Sequence, residues 1–197
     1  PSDRVADVLA DDRVRAATLT GSGPAGRAVA STAGEHLKKT VLELGGSDPF
    51  VVLDDADVEA AAETGAWARN LNGGQSCIAA KRFVVHEDVY DAFVEALVEE
   101  VEALVVGDPM DEATDVGPQA RQGLMEDLHA QVTASVEAGA TVLTGGEPLD
   151  REGAFYPPTV LADVPPGCPA DSEEVFGPVA AVFRVGDEDE AVEKAND

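Results

Sequence analysis

Cysteine is scarce in this chain, with Cys77 and Cys168 the two in 197 residues. One pair cannot build a disulfide framework, and so low a count fits a reducing cytoplasm. Lysine is rarer than usual, confined to Lys38, Lys39, Lys81 and Lys194, and all basic residues number 13 against 39 acidic ones, a net charge of −26. That balance repels nucleic acid and anionic membranes, and the basic footprint of a nucleic-acid binder is missing. His36, His86 and His129 stand apart from one another without metal-ligand spacing, and surface positions are expected for each. No apolar stretch approaches the roughly 18–20 residues that span a bilayer, and the opening Pro-Ser-Asp-Arg has no signal-peptide core. Internal repeats, low-complexity tracts and long linkers are also lacking. Disorder does not follow from the acidity, because 44% of residues are apolar and fall in periodic patterns. The better account is a halophilic type of protein, in which concentrated salt screens carboxylate repulsion within a few ångströms.

What is present alternates strand and helix, which argues for an α/β fold with largely parallel sheets. Val14–Thr20 reads as a strand running into the Gly21–Gly26 loop, followed by a helix over Arg27–Glu35 and strands at Lys39–Leu44 and Pro49–Leu53. Asp57–Leu71 reads as a helix opened by acidic residues that suit its N-terminus. Phe83–His86 is a short strand, and Val89, Phe93, Leu97, Val101 and Leu104 mark one face of a helix over Val89–Val105. Helix over Gln119–Ala138, strands at Thr141–Thr144 and Val179–Val185, and a helix from Asp187 complete the pattern. Pro157–Pro169, with five prolines, reads as an extended surface loop. Arg4–Leu9 resembles a helix tail, and the chain stops at Ala195-Asn196-Asp197 within an apparent helix, as expected of a partial chain.

Three segments invite chemistry. Asn72-Gly73-Gly74-Gln75-Ser76-Cys77 sets a thiol in a glycine-rich turn before the apolar run Ile78-Ala79-Ala80. At a helix start, unpaired backbone N–H groups and the positive dipole end favour thiolate, the nucleophilic form of a group whose ordinary pKa is about 8.5. A lone cysteine is more often a small buried hydrophobe, and this segment by itself leaves that reading open. Glu43, in Leu42-Glu43-Leu44-Gly45-Gly46, has apolar neighbours and a turn after it, as at the end of a buried strand. Partial desolvation there suits a general base, although a glutamate satisfied by backbone donors remains the alternative. Glu173-Glu174-Val175-Phe176-Gly177-Pro178-Val179 is an acidic-aromatic turn into a strand. Cys168, in Pro166-Gly167-Cys168-Pro169, has no identifiable acid, base or metal partner. Lys81 and Arg82 read as a cation pair at a helix C-terminus.

Together and in this order, the three segments resemble the aldehyde dehydrogenase superfamily. Glu43 and Cys77 lie 34 residues apart, and Cys77 and Glu174 lie 97 apart, both as in that family. Thr20-Gly21-Ser22-Gly23-Pro24-Ala25-Gly26 takes the place of the family's phosphate-side loop, although its match to GxGxxG alone is weak and Pro24 removes a backbone donor. The form Gly74–Phe83 looks most like succinate-semialdehyde dehydrogenases and their near relatives.

The resemblance implies an enzyme that oxidises an aldehyde, with succinate semialdehyde the candidate, to a carboxylic acid with NAD or NADP. By it, Cys77 attacks the aldehyde to give a thiohemiacetal, loss of hydride leaves a thioester, and Glu43 activates water for hydrolysis. The Cys77 N–H supplies one donor to the oxyanion. Gly21, Ser22, Leu44, Gly45, Glu174 and Phe176 are the implied cofactor-binding residues, Glu174 through the nicotinamide-side ribose. Residues 1–44 would end a cofactor domain, and 45–197 would form a catalytic domain lacking its C-terminal portion. Full-length relatives are homo-oligomers, an expectation that does not carry to this segment. A second reading stays open, that the segment by itself is a non-catalytic α/β fragment of such an enzyme.

Overall fold

The computed structural model describes residues 4–197, which divide into two compact units, the first ending at Gly46 and the second running from Ser47 to Asp197.

In the first unit, α1 (Val5–Ala10) precedes β1 (Ala16–Gly21), α2 (Gly23–Glu35) and β2 (Lys39–Leu44). The two strands pair in parallel, with Thr20 opposite Glu43 and Gly21 opposite Leu44. Helix α2 starts four residues before Arg27 because Ser22 caps it, its Oγ accepting from Ala25 N at 3.4 Å, while Pro24 occupies the first turn. The Gly21–Gly26 stretch is therefore a strand end and a helix start with no intervening loop. Gly26 sits against Leu44, where a Cβ would come within 2.6 Å of Leu44 Cδ2.

In the second unit, β3 (Pro49–Val52), α3 (Val58–Asn70), β4 (Arg82–His86), α4 (Glu87–Glu102), α5 (Gln122–Ala138), β5 (Thr141–Thr144), β6 (Thr159–Ala162), α6 (Pro169–Ser172), β7 (Val179–Val185) and α7 (Glu188–Asn196) follow in order. The strands form one sheet, ordered β3-β4-β7-β6-β5, parallel throughout except for the antiparallel edge strand β5. A parallel sheet needs cover on both faces, and the burial of the central strands follows from that. Phe83, Val85, Val160, Ala180 and Val182 face one core with Ala62, Ala66, Phe93 and Leu97 of α3 and α4. Leu161, Val179, Ala181 and Phe183 face a second core with Met125, Leu128 and Val132 of α5. Alternate residues of β7 thus serve opposite faces, the period-2 pattern of a strand. Cys168 packs in the second core.

Three sequence expectations are corrected here. The proline-rich stretch contains β6, a fully buried strand; the prolines flank it at 157, 158, 165 and 166 and leave its ladder donors intact. The helix expected from Gln119 begins at Gln122, because Gln119 is committed elsewhere, its N–H to Ala154 O at 2.8 Å and its Nε2 to Gly73 O at 3.0 Å. Of the histidines, His36 is exposed, but His86 and His129 are half-buried. His86 Nδ1 accepts from Asp88 N at 3.2 Å and so caps α4, and His129 Nδ1 lies 3.4 Å from the Tyr156 hydroxyl.

Candidate active site

Helix α3 hands the chain to a tight turn, Leu71–Gly74, in which Asn72, Gly73 and Gly74 take φ of 56°, 62° and 72° in succession. Three left-handed residues in a row suit Asn and Gly and penalise most other side chains, which explains the Asn-Gly-Gly spelling. Asn72 Nδ2 donates to Gln75 O at 3.1 Å, and Gln75 Nε2 returns a bond to Asn72 O at 3.2 Å. Gln75 Oε1 also accepts from Ala120 N at 2.9 Å, tying the turn to the segment before α5.

Cys77 follows, exposed, in a second turn closed by Ala79 N to Ser76 O at 3.2 Å. The expected helix start is not there. Ala80 and Lys81 lead straight into β4, so no helix dipole acts on the thiol from this segment. Among the described residues the Cys77 N–H makes no hydrogen bond, which leaves it free as a donor.

The left-handed turn that precedes Cys77 docks on the segment that follows Glu174. A Cβ on Gly74 would stand 2.3 Å from the carbonyl carbon and oxygen of Gly177 and 2.6 Å from Pro178 N, so backbone meets backbone and no side chain fits. Gln131 Nε2 holds the second turn, donating to Glu173 Oε2 at 2.8 Å and to Glu174 O at 3.2 Å. Glu174 and Phe176 are both half-buried.

Two cations that the sequence reading did not place in a site lie buried here. Lys81 Nζ donates to Cys77 O at 2.8 Å and to Ala79 O at 3.4 Å, and lies 3.6 Å from Glu174 Oε1. Arg69, fully buried, donates from Nη2 to Gly74 O at 2.6 Å, while its Nε and Nη1 have no acceptor among the described residues. Burial pushes the Arg69 guanidinium down to about 10, against the opposing pull of Glu174. Lys81 is lowered chiefly by burial and next by the Arg69 charge, with Glu174 and Asp48 acting the other way. Lys81 and Arg82 are therefore not a surface pair at a helix end. Arg82 is buried in β4 and donates to Ser47 O at 2.9 Å and to Lys194 O and Ala195 O at 2.8 and 3.1 Å, closing the end of α7. The clue was legible for both: a Lys-Arg pair between Ala79-Ala80 and Phe83-Val84-Val85 stands inside an apolar run. Arg69 likewise falls at i+7 from Ala62 and i+3 from Ala66, on the buried stripe of α3.

Glu43, Leu44, Gly45, Gly21 and Ser22 belong to the first unit. Glu43 is exposed on β2, so the expected desolvated strand end is replaced by a carboxylate open to water. Leu44 packs over Gly26, and Gly45 is exposed. At the start of α2 the Ala25 and Gly26 N–H groups are taken by Ser22 Oγ and Ser22 O, and Pro24 has none. The Ser22 hydroxyl proton remains available to a ligand.

A parallel sheet covered on both faces, with an exposed thiol just after a left-handed turn that docks against an acidic turn, is an α/β arrangement. Residues 2–197 match the aldehyde dehydrogenase family, and the chain belongs to it. It is 57% identical over 196 residues to a succinate-semialdehyde dehydrogenase [NADP(+)] of Mycolicibacterium paratuberculosis, covering 100% of this chain and 42% of that protein. A succinate-semialdehyde dehydrogenase [NADP(+)] 1 of Mycobacterium tuberculosis is 54% identical over 195 residues, covering 99% and 43%. Among solved structures, a study of cofactor and substrate selection by Gox0499 superposes with a TM-score of 0.97 at 46% identity, covering 100% of this chain and 43% of that one. Succinic semialdehyde dehydrogenase from Streptococcus pyogenes, in complex with NADP+, gives 0.95 at 40%, covering 99% and 43%. The chain thus spans a little over two fifths of the length of these relatives.

Proposed function

We propose that the protein carrying this segment oxidises an aldehyde to a carboxylic acid, with succinate semialdehyde as first substrate and NADP as first cofactor to test. The observation that carries this reading is the docking of Gly74, three residues before the exposed Cys77, on Gly177-Pro178, three residues after Glu174, with Lys81 Nζ reaching both Cys77 O and Glu174 Oε1. In the reaction, Cys77 Sγ bonds to the aldehyde carbon, and the carbonyl oxygen takes up negative charge that the Cys77 N–H can receive. A bound nicotinamide nucleotide supplies the acceptor for the hydride that leaves this carbon. The thioester left on Cys77 is cleaved by water, whose proton Glu43 is the candidate to accept.

The residues present fit such a cofactor. Glu174 Oε1 is a buried acceptor with no hydrogen-bond partner among the described residues, suited to a ribose hydroxyl. Phe176 offers a half-buried ring two residues on, and Ser22, Gly21, Leu44 and Gly45 are the first-unit candidates. On this reading residues 1–44 end the cofactor domain and 45–197 belong to the catalytic domain.

Coverage of 42–43% of the relatives favours a second reading for the segment in isolation, a non-catalytic α/β fragment. The intact protein decides between them. Reduction of NADP+ followed at ~340 nm with succinate semialdehyde in concentrated KCl is expected for wild type, and Cys77→Ala should lose about 10³-fold or more. Equal turnover by both would remove Cys77 from the chemistry.

A further inference from the structure

Lys81 is 2% exposed, and its ammonium has three protons to place. Two go to carbonyls of the turn that holds the thiol, those of Cys77 and Ala79, and the nearest carboxylate oxygen is Glu174 Oε1 at 3.6 Å. Arg69 grips the preceding turn, at Gly74 O, three residues before Cys77. The segment Gly74–Ala79, which contains Cys77, is thus held at both ends by buried cations that repel each other. Such an arrangement is costly to desolvate and depends on a counter-charge. The charged groups facing Lys81 are Arg69, Glu174 and Asp48, and of the two carboxylates it is Glu174 that forms an ion pair with it. The Glu174 side chain is 25% exposed and so forms the edge of the cluster that faces solvent.

We propose that Lys81 is a positioning residue for Cys77, and that through it the set of the Cys77 turn depends on the carboxylate of Glu174. The inference rests on the reading of Cys77 as the nucleophile and adds the means by which the acidic turn controls it. Lys81 touches no reacting atom. It acts through the carbonyl of the cysteine, so its loss changes how the thiol is presented.

The test is the rate at which Cys77 is alkylated by iodoacetamide in the intact protein, read by mass spectrometry in a Cys168→Ala background that leaves this thiol as the one within residues 1–197. Lys81→Met should slow alkylation about tenfold, the scale of one hydrogen bond to a charged group. Glu174→Gln should slow it about threefold in the Lys81 protein and have no further effect in the Lys81→Met protein. That non-additivity is the signature of a shared route, which a packing role for Lys81 would not produce. Effects that multiply in the double variant, or single-variant rates within twofold of wild type, overturn the proposal. If Lys81→Met does not fold, by circular dichroism, Glu174→Gln decides alone, since an unchanged rate then refutes the coupling. Failure of the nucleophile reading looks different: wild-type Cys77 would react no faster folded than in denaturant, whatever stands at 81.

Discussion

The two units of this chain carry opposite lessons about charge. Residues 1–46 hold 6 acidic and 6 basic residues, so the whole net charge of −26 lies in residues 47–197, with the remaining 33 of 39 acidic and 7 of 13 basic residues. A total taken over the chain hides this division. Of the 7 cations in the acidic unit, Arg69, Lys81 and Arg82 are buried around the Cys77 turn and the start of β4. The acidic unit buries three of its seven cations where its chemistry is proposed, and only Arg121, Arg151 and Arg184 stand exposed among its surface carboxylates. The balanced unit offers no such contrast, and its glycine-rich turn is satisfied locally by Ser22.

Salt should break the comparison most strongly. We infer that concentrated salt supports the acidic unit by screening its self-repulsion, since the Debye length falls from about 10 Å at 0.1 M to about 3 Å at 1 M. Asp55, Asp57, Glu59, Glu95 and Glu99 line one groove between α3 and α4, a site of concentrated repulsion. Far-UV circular dichroism should show loss of folded structure as KCl is removed. Neutralising Glu59, Glu95 and Glu99 to Gln should lower the KCl needed, whereas Asp7→Asn, Asp12→Asn and Glu35→Gln together should not. A spectrum indifferent to KCl would refute the salt reading, and equal shifts from both triple variants would refute its division between units.

The next effect in size comes from Gly74. An alanine there takes φ +72° and presses its Cβ to within 2.3 Å of the Gly177 backbone, which cannot swing aside as a side chain can. Strain and overpacking together should cost about 2–4 kcal/mol, read as a fall in the urea midpoint of the intact protein. An unchanged midpoint would mean that the two turns do not need their close approach.

How much of this was legible in the sequence divides along the same physical lines. β2, β5 and β7 were read to the residue, because their β-branched or apolar runs are bounded by charge or glycine. β6 was not, since prolines on both sides of Thr159–Ala162 masked a strand whose own four residues keep their donors. Cys77, Glu174 and Phe176 stand out as motif residues, and the two segments that carry them are joined by the contact of Gly74 with Gly177, which are 103 residues apart. The helix assigned after Cys77 failed because three left-handed residues turn the chain directly towards β4. The exposure of Glu43 escaped notice because Leu42 and Leu44 suggested a buried strand, yet β2 lies in a two-stranded sheet with little cover. Lys81 and Arg69 were missed because charged residues were assumed to face solvent, although Lys81 stands inside an apolar run and Arg69 falls on the buried stripe of α3.

The smallest effect sharpens the contrast between the two glycine turns. Gly26 lies within α2 and has the dihedral angles of a helix, so an alanine there gains roughly 1 kcal/mol of helix propensity. Its Cβ would meet Leu44 Cδ2 at 2.6 Å and Cδ1 at 2.8 Å, but these are the far atoms of a side chain that is 36% exposed and has room to rotate. The gain and the displacement nearly offset, and Gly26→Ala should change the stability read by urea unfolding by no more than about 1 kcal/mol in either direction. A loss as large as that of Gly74→Ala would show that Leu44 is held in place by something beyond its helix contact. A ligand-binding role for Leu44 would then gain its first energetic support, because a side chain free to yield cannot shape a pocket.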